Sequence, residues 1–267
     1  MRSVCRQVTG TALSDRFLNE RGFVMRNRLF FVLLLLAVTS LGSPGSSAQN
    51  RSVSAPVEVV RCDSLTVYYP RFSRMDLATG SMPSKTDSTV FFCCAAAFTG
   101  EKLPTFKHSN IAGYYVSGGQ FHEGFHCGPN NGVFTWTPAK GARYYNFSHK
   151  NSRPPLKEAA GQGGMGFCQS LLYYNGKRFK GCFKADRANR YRALCEIGGR
   201  LCIVDCARIL PFGSFMDGLK ALGVRNAVYC DMGRGWNYSW YRDAAGTVHE
   251  LFPTPGRYTT NWIVFYK

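Results

Sequence analysis

The sequence predicts an α+β protein built on a mixed β-sheet core that is rich in hairpins and carries few short helices. Three observations predict it. Apolar runs of roughly four to eight residues recur along the chain, the length of strands rather than helices. Two junctions between such runs are Gly198-Gly199 and Asn175-Gly176, dipeptides that accept the positive φ angles of a two-residue hairpin turn. Only Pro154 to Ala160 and Ser214 to Leu222 carry helix signals, and both stretches are brief.

The elements follow in order. Met25-Arg-Asn-Arg28, the apolar stretch Leu29 to Val38, and Ser43-Pro-Gly-Ser-Ser-Ala48 form the basic head, apolar core and small-residue exit of a signal peptide. Met25 therefore reads as the start, residues 1–24 as an upstream extension, and Ala48 as the residue before cleavage. The apolar core is about half of the ~20 residues a membrane span needs, so no stable membrane anchor is expected. The mature chain would be one domain over 49–267, exported to a periplasmic or secreted location. Beyond residue 48 there are 27 Lys+Arg against 14 Asp+Glu, and a surplus of this size attracts anions. The cations are scattered singly (Arg143, Lys157, Lys177, Arg187, Arg225) rather than gathered in a run, and no nucleic-acid-binding signature is present, which excludes nucleic acid as the expected partner.

Ten cysteines remain beyond residue 48. Most lie inside apolar runs, where a thiol behaves as a small hydrophobe; one or two disulfides are expected, with Cys62, Cys127 and Cys182 in the more loop-like settings. Leu65 to Tyr69 reads as a strand, and Val90 to Ala97, the longest apolar run of the mature chain, as a central strand buried on both faces. His122-Glu123-Gly-Phe-His126 satisfies the H-E-x-x-H zinc-peptidase pattern. That chemistry needs a helix, and Gly118-Gly119, Gly124 and Gly128-Pro129 deny it one, so the expectation is a strand or loop and no metal.

Asn130-Asn-Gly132 turns the chain into the strand Val133 to Thr137, and Pro154-Pro155 opens a short helix with proline in its first turn. Gly161-Gln-Gly-Gly-Met-Gly166, with Gly164 at its centre, is either a rim loop or a loop whose backbone N–H groups approach a phosphate; it lacks the lysine of a nucleotide loop. Phe167 to Tyr174, Asn175-Gly176 and Lys177 to Lys180 read as a hairpin.

A second hairpin joins Tyr191–Glu196 to Leu201–Cys206 across Gly198-Gly199. The next helix has Ser214 as its N-cap, Phe215, Leu219 and Leu222 on one face, and Gly223 as its stop. Val224 to Cys230 is a further strand, and Asp231 stands at its exit, where a rigid element delivers a reactive group to a loop. Trp236, Asn237, Tyr238, Trp240 and Arg242 then interleave flat rings with polar groups, a pattern suited to sugar faces and hydroxyls, with Trp236, Tyr238 and Trp240 sharing one face of an alternating strand.

Across about 75 residues this C-terminal half resembles the phosphodiester glycosidases, relatives of the enzyme that uncovers lysosomal-enzyme glycans. Arg192-Ala-Leu, Gly199-Arg-Leu-Cys-Ile-Val and Thr260-Asn261-Trp-Ile-Val-Phe are similar to three strand motifs of that family, and Asp231-Met-Gly233 is similar to the start of its Asp-Gly-Gly-Gly-Ser loop, with Met232 departing from the pattern. The resemblance implies a phosphodiester glycosidase-like fold and hydrolysis of an N-acetylglucosamine-type sugar 1-phosphodiester. Arg192 would face the phosphate and Asp231 the anomeric carbon or its water, with Gly233, Trp236, Asn237, Trp240, Arg242, Asn261 and Gly164 around the substrate. The partner would be a glycan or sugar phosphate. No cofactor is implied, although a divalent cation is compatible with the chemistry. A non-catalytic glycan- or sugar-phosphate-binding relative is the alternative, ranked below the hydrolase, and the zinc peptidase is a distant third.

Overall fold

The computed structural model describes residues 55–99, 111–124, 131–147, 151–206, 208–233, 239–252 and 261–267. From the N-terminal side come β1 (Val57–Cys62), β2 (Leu65–Pro70), β3 (Arg74–Thr79), β4 (Val90–Ala95), β5 (Tyr115–Ser117) and β6 (Gln120–His122). Then follow β7 (Gly132–Thr137), β8 (Gly141–Asn146), α1 (Arg153–Gly161), β9 (Met165–Gln169), β10 (Leu171–Tyr174), β11 (Lys177–Arg178) and β12 (Ala188–Asn189). The C-terminal part supplies β13 (Arg192–Ile197), β14 (Arg200–Cys206), β15 (Leu210–Pro211), α2 (Phe212–Ala221), β16 (Val224–Cys230), β17 (Ser239–Arg242), β18 (Val248–Leu251) and β19 (Asn261–Tyr266).

These elements overturn the predicted α+β class and its mixed sheet. Strands take 51% of the described residues and helices 11%, so the protein is predominantly β, with several antiparallel sheets. The misreading has a topological cause. A helix lies between β14 and β16, as in a parallel crossover, and those two strands do run the same way; but β13 sits between them and pairs antiparallel with both. A crossover around an intervening strand creates no parallel ladder.

A seven-stranded sheet has the order β1-β2-β14-β13-β16-β10-β11, and two five-stranded sheets have the orders β18-β17-β4-β19-β3 and β6-β5-β9-β7-β8. Side chains alternate across each strand, so every sheet feeds two layers. Leu194, Ile203, Val228 and Cys230 point from the seven-stranded sheet into a core shared with Phe92, Cys94 and Phe265 of one five-stranded sheet and Phe134 and Phe167 of the other. Ala193, Cys195, Val204 and Tyr229 point the other way, onto Phe215, Met216 and Leu219 of α2. Strand β4 is buried along its whole length, as its unbroken apolar run requires, with Cys93 packed outward among Val90, Trp240, Trp262 and Val264.

The hairpin turns are those the sequence specifies: Gly198 and Gly199 take φ of 57° and 76°, Asn175 and Gly176 of 50° and 77°. The helix α1 begins with proline in its first turn. Helix α2 begins two residues before the predicted cap, at Phe212, so Ser214 lies inside its first turn and makes no cap bond. Its opening N–H groups are met by backbone instead: Phe212 donates to the carbonyl of Arg187 at 2.9 Å and Gly213 to that of Ala185 at 2.8 Å. The nine cysteines among the described residues are all free, seven of them buried; the expected disulfides do not occur among them, and Cys127 lies outside the described residues. No described helix is long and apolar enough to cross a membrane.

Candidate active site

The register of the β13–β14 hairpin is set by its two-residue turn. Counting outward from Ile197 opposite Arg200, Arg192 falls directly across from Asp205. Both side chains are buried, and they form a two-pronged ion pair: Nε donates to Oδ1 at 2.5 Å and Nη2 to Oδ2 at 2.9 Å. Nη2 also donates to the hydroxyl of Ser239 at 2.6 Å, which ties the seven-stranded sheet to β17 of the facing sheet. Burial works against the charge of Arg192, but the carboxylate of Asp205 outweighs it and holds the guanidinium protonated above its ordinary range. Nη1 is buried with no hydrogen-bond partner among the described residues.

Asp231 leaves the neighbouring strand at the same end. In the antiparallel pairing of β13 with β16, Arg192 stands opposite Cys230, so it shares the face of Cys230, and Asp231, one residue on, follows the face of Tyr229. Tyr229 is wedged there against Phe98 and Phe183. The backbone of Asp231 donates to the carbonyl of Ala96 at 2.9 Å, and its Oδ1 accepts the N–H of Gly233 at 3.0 Å. Burial raises its pKa to about 7, with the Gly233 N–H as the only opposing influence. Asp231 is thus a carboxyl group near half-ionisation at neutral pH, 7% exposed, bonded to the Gly233 N–H and to no other side chain among the described residues.

Asn261, at the start of β19, is fully buried and clamps the exit of β4: its Oδ1 accepts the Ala97 N–H at 2.7 Å and its Nδ2 donates to the Ala97 carbonyl at 3.1 Å. Gln169 donates to the neighbouring Ala96 carbonyl at 3.4 Å, and Ser170 gives its carbonyl to the N–H of Tyr229 at 2.9 Å. Arg192, Asp231, Gly233 and Asn261 therefore gather at one sheet end, framed by the carbonyls of Ala96 and Ala97.

Three other residues that the sequence put around the substrate are placed elsewhere. Trp240 is paired opposite Cys93 and shares its outward face, where its ring is enclosed in the cluster of Val90, Trp262 and Val264; strand parity turns Ser239 and Tyr241 inward instead. Arg242 sits at the other end of β17, three residues and about 10 Å from Ser239 at ~3.4 Å per residue, and gives its guanidinium to the carbonyls of Lys85, Asp87, Val90 and Gly246. Gly164 precedes β9 at the end away from Gln169. Its N–H closes α1 on the Ala159 carbonyl at 2.8 Å, and a Cβ there would collide with the backbone of Trp136. Trp236 and Asn237 lie outside the described residues, as does His126. His122 ends β6, a strand, stacked on Tyr115 at 4.8 Å, and Glu123 is ion-paired with Arg153, so this half of the H-E-x-x-H pattern has none of the helix that zinc ligation needs. Among the described residues no group of three or more His, Cys, Asp or Glu side chains could hold a metal ion.

The sequence reading did not single out Asp205, Ser239, Gln169 or Tyr229. For Asp205 the signal was present, because a two-residue turn at 198–199 fixes its place opposite Arg192.

Fold and site define a class before any comparison: an antiparallel β protein with a buried Arg–Asp pair and a proton-holding carboxyl at one sheet end. No family profile matches the sequence, and no curated protein matches it. Among solved structures, the chain is similar to the zebrafish N-acetylglucosamine-1-phosphodiester alpha-N-acetylglucosaminidase catalytic domain, auto-inhibited by its pro-peptide, with a TM-score of 0.55 and 10% identity over 80% of this chain and 82% of that one. It is also similar to a hypothetical protein from Synechocystis, with a TM-score of 0.55 and 12% identity over 79% of this chain and 61% of that one. The protein thus has a phosphodiester glycosidase-like fold.

Proposed function

We propose that the protein hydrolyses a sugar 1-phosphodiester of the N-acetylglucosamine type, with Asp231 handling the proton of the attacking water. The observation that carries this reading is the carboxyl of Asp231, buried at a strand exit with a pKa raised to about 7. A group balanced between its two forms at working pH is what general acid–base chemistry asks for. In the reaction the C1–O bond to phosphate breaks, water supplies the new C1–O bond, and the phosphomonoester leaves. Asp231 in its ionised form accepts the water proton. Arg192 contributes a permanent cation to the same end of the fold; two of its three nitrogens are engaged by Asp205 and Ser239, which leaves Nη1 as its uncommitted donor. Gly233 and Asn261 shape the loop and the β4 exit beside Asp231. Trp236 and Asn237 belong to the proposal through the sequence pattern alone, as does export behind a signal peptide ending near Ala48.

A binding protein without turnover is the second reading. Its support is Met232, which is buried where the family loop carries glycine and gives its N–H to the Tyr229 hydroxyl at 3.1 Å rather than to a ligand. Incubation of the full chain with a chromogenic N-acetylglucosamine phosphodiester separates the two. Release of the chromophore, with its rate rising through pH ~7 and abolished in Asp231→Asn, supports the hydrolase; saturable binding with no release overturns it in favour of the binder.

A further inference from the structure

At the other end of β13, four residues and about 13 Å along the strand from Arg192, a separate cleft of about 340 Å3 opens. Three parts of the chain build it: Phe72 from the β2–β3 connection, Trp136 and the Lys140–Arg143 turn from the β7–β8 hairpin, and Glu196 with Gly199 and Leu201 from the β13–β14 hairpin. Leu194, wholly buried between Arg192 and Glu196 on the same face, closes it off from the Asp231 end.

The chemistry of its wall is specific. Phe72 and Trp136 meet at 6.0 Å and a 59° tilt, an apolar corner that excludes water on one side. Arg143 is exposed and has no ion-pair or hydrogen-bond partner among the described residues, whereas the neighbouring Lys140 is taken by Glu158. Glu196 is half committed: one oxygen accepts the Nδ2 of Asn226 at 2.7 Å, and Asn226 is itself fixed by the Asn175 N–H at 2.8 Å, so the carboxylate is held in place with acceptor capacity to spare. Gly141 has φ +63° with nothing within 4 Å of its missing Cβ, which leaves backbone exposed on the turn.

A lone anion would meet the carboxylate of Glu196, and a lone cation would meet Arg143. A ring bearing several hydroxyls needs what is present: a fork of donors, a fixed acceptor and an aromatic corner for its C–H edge, within a volume typical of small-ligand sites. We propose that this cleft binds a neutral saccharide unit, as a carbohydrate site independent of the Asp231 centre. The proposal rests on its own residues and stands whether or not the protein is a hydrolase.

The test is calorimetric titration of the full chain with chitotriose, with L-phenylalanine and inorganic phosphate as competing probes. Chitotriose is expected to bind saturably. Arg143→Ala should weaken it at least ~10-fold, the loss of a charged hydrogen bond to a ligand, and Glu196→Gln, which keeps the acceptor for Asn226, less. Ala142→Trp, checked for folding by melting, should fill the cleft and abolish binding, and Asp231→Asn should leave it unaltered. Binding that survives both Arg143→Ala and Ala142→Trp, or that disappears in Asp231→Asn, overturns the proposal. So does displacement by phenylalanine, which would make the cleft a zwitterion site, or by phosphate, which would make it an anion site. Absence of any chitotriose binding overturns it as well, and none of these results depends on turnover.

Discussion

Two buried carboxylates mark the ends of adjacent parts of one sheet, and they differ in everything except position. Asp205 is held by both prongs of Arg192 and shares the inner face with Ser239, so its charge is matched and its geometry fixed. Asp231 faces the opposite side among aromatic rings, has one backbone N–H for company, and holds its proton up to a pKa of about 7. The lesson is that burial alone does not assign a role to an acid. With a matched cation it becomes a tie between sheets; without one it becomes a store for a proton. Arg192, which lies on the strand between the two, serves the first and contributes only one uncommitted nitrogen to anything else.

The largest way to break this contrast is to remove the matched acid. Asp205→Asn leaves the Arg192 guanidinium buried without its counter-charge, a situation that costs ~3–5 kcal/mol. Thermal unfolding should shift down by roughly 10 °C or more for a chain of this size, and an unchanged melting temperature would show that Arg192 finds another partner.

Asp231→Asn should do the reverse to stability while removing activity. The sign follows from the direction of the shift. The folded state holds the Asp231 proton more tightly than the unfolded chain, so this residue makes stability fall as pH rises from about 4 to about 7, by ~1.4 kcal/mol for each pKa unit of difference. Asparagine cannot ionise, and chemical denaturation of Asp231→Asn at pH 8 should give a higher unfolding free energy than the parent, with a flatter profile between pH 4 and 7. Phosphodiester hydrolysis in the same variant should drop at least ~100-fold, the scale of a removed catalytic group. Lower stability at pH 8 would mean that the ionised carboxylate has a partner and belongs with Asp205.

How far this contrast was legible in the sequence depends on which constraint carries it. The Gly198-Gly199 turn fixes a register, so Arg192 opposite Asp205 follows by counting, as does the hairpin at Asn175-Gly176. Burial of β4 follows from its apolar run. The pairing of β4 with β17 does not follow from anything local, because the partners are almost 150 residues apart in the chain, and without it the inward side of Ser239-Trp240-Tyr241 is undetermined. That is why Trp240 read as a sugar platform and is enclosed, while Ser239, to which the sequence assigned no role of its own, holds Arg192. The class was misread for a similar reason: order along the chain shows a helix between two strands, but not the antiparallel strand that lies between them in space.

A smaller effect probes the frame on the Asp231 side. Asn261 makes two bonds to the backbone of Ala97, and truncation to alanine leaves a buried N–H and a buried carbonyl unmet, a loss of ~1–3 kcal/mol. Because Ala96, the residue before Ala97, carries the carbonyl that accepts the Asp231 N–H, Asn261→Ala should also lower hydrolysis, and a change in stability with no change in rate would detach this clamp from the site.

The smallest expected effect sets the baseline for the others. Ser214 has the identity of an N-cap, and loss of a true cap costs ~1 kcal/mol. In the structure α2 already begins at Phe212, the first N–H groups are satisfied by the carbonyls of Arg187 and Ala185, and Ser214 is exposed within the first turn. Serine is a slightly poorer helix former than alanine at such a position. Ser214→Ala should therefore change the unfolding free energy by less than ~0.5 kcal/mol, and in the stabilising direction if at all. A loss near 1 kcal/mol in urea titration would mean that the helix starts at Ser214 in solution. Phe212 and Gly213 would then be free of the 185–187 turn, and Phe212 would not be fixed against Phe183, the ring it shares with Tyr229 on the face that Asp231 follows.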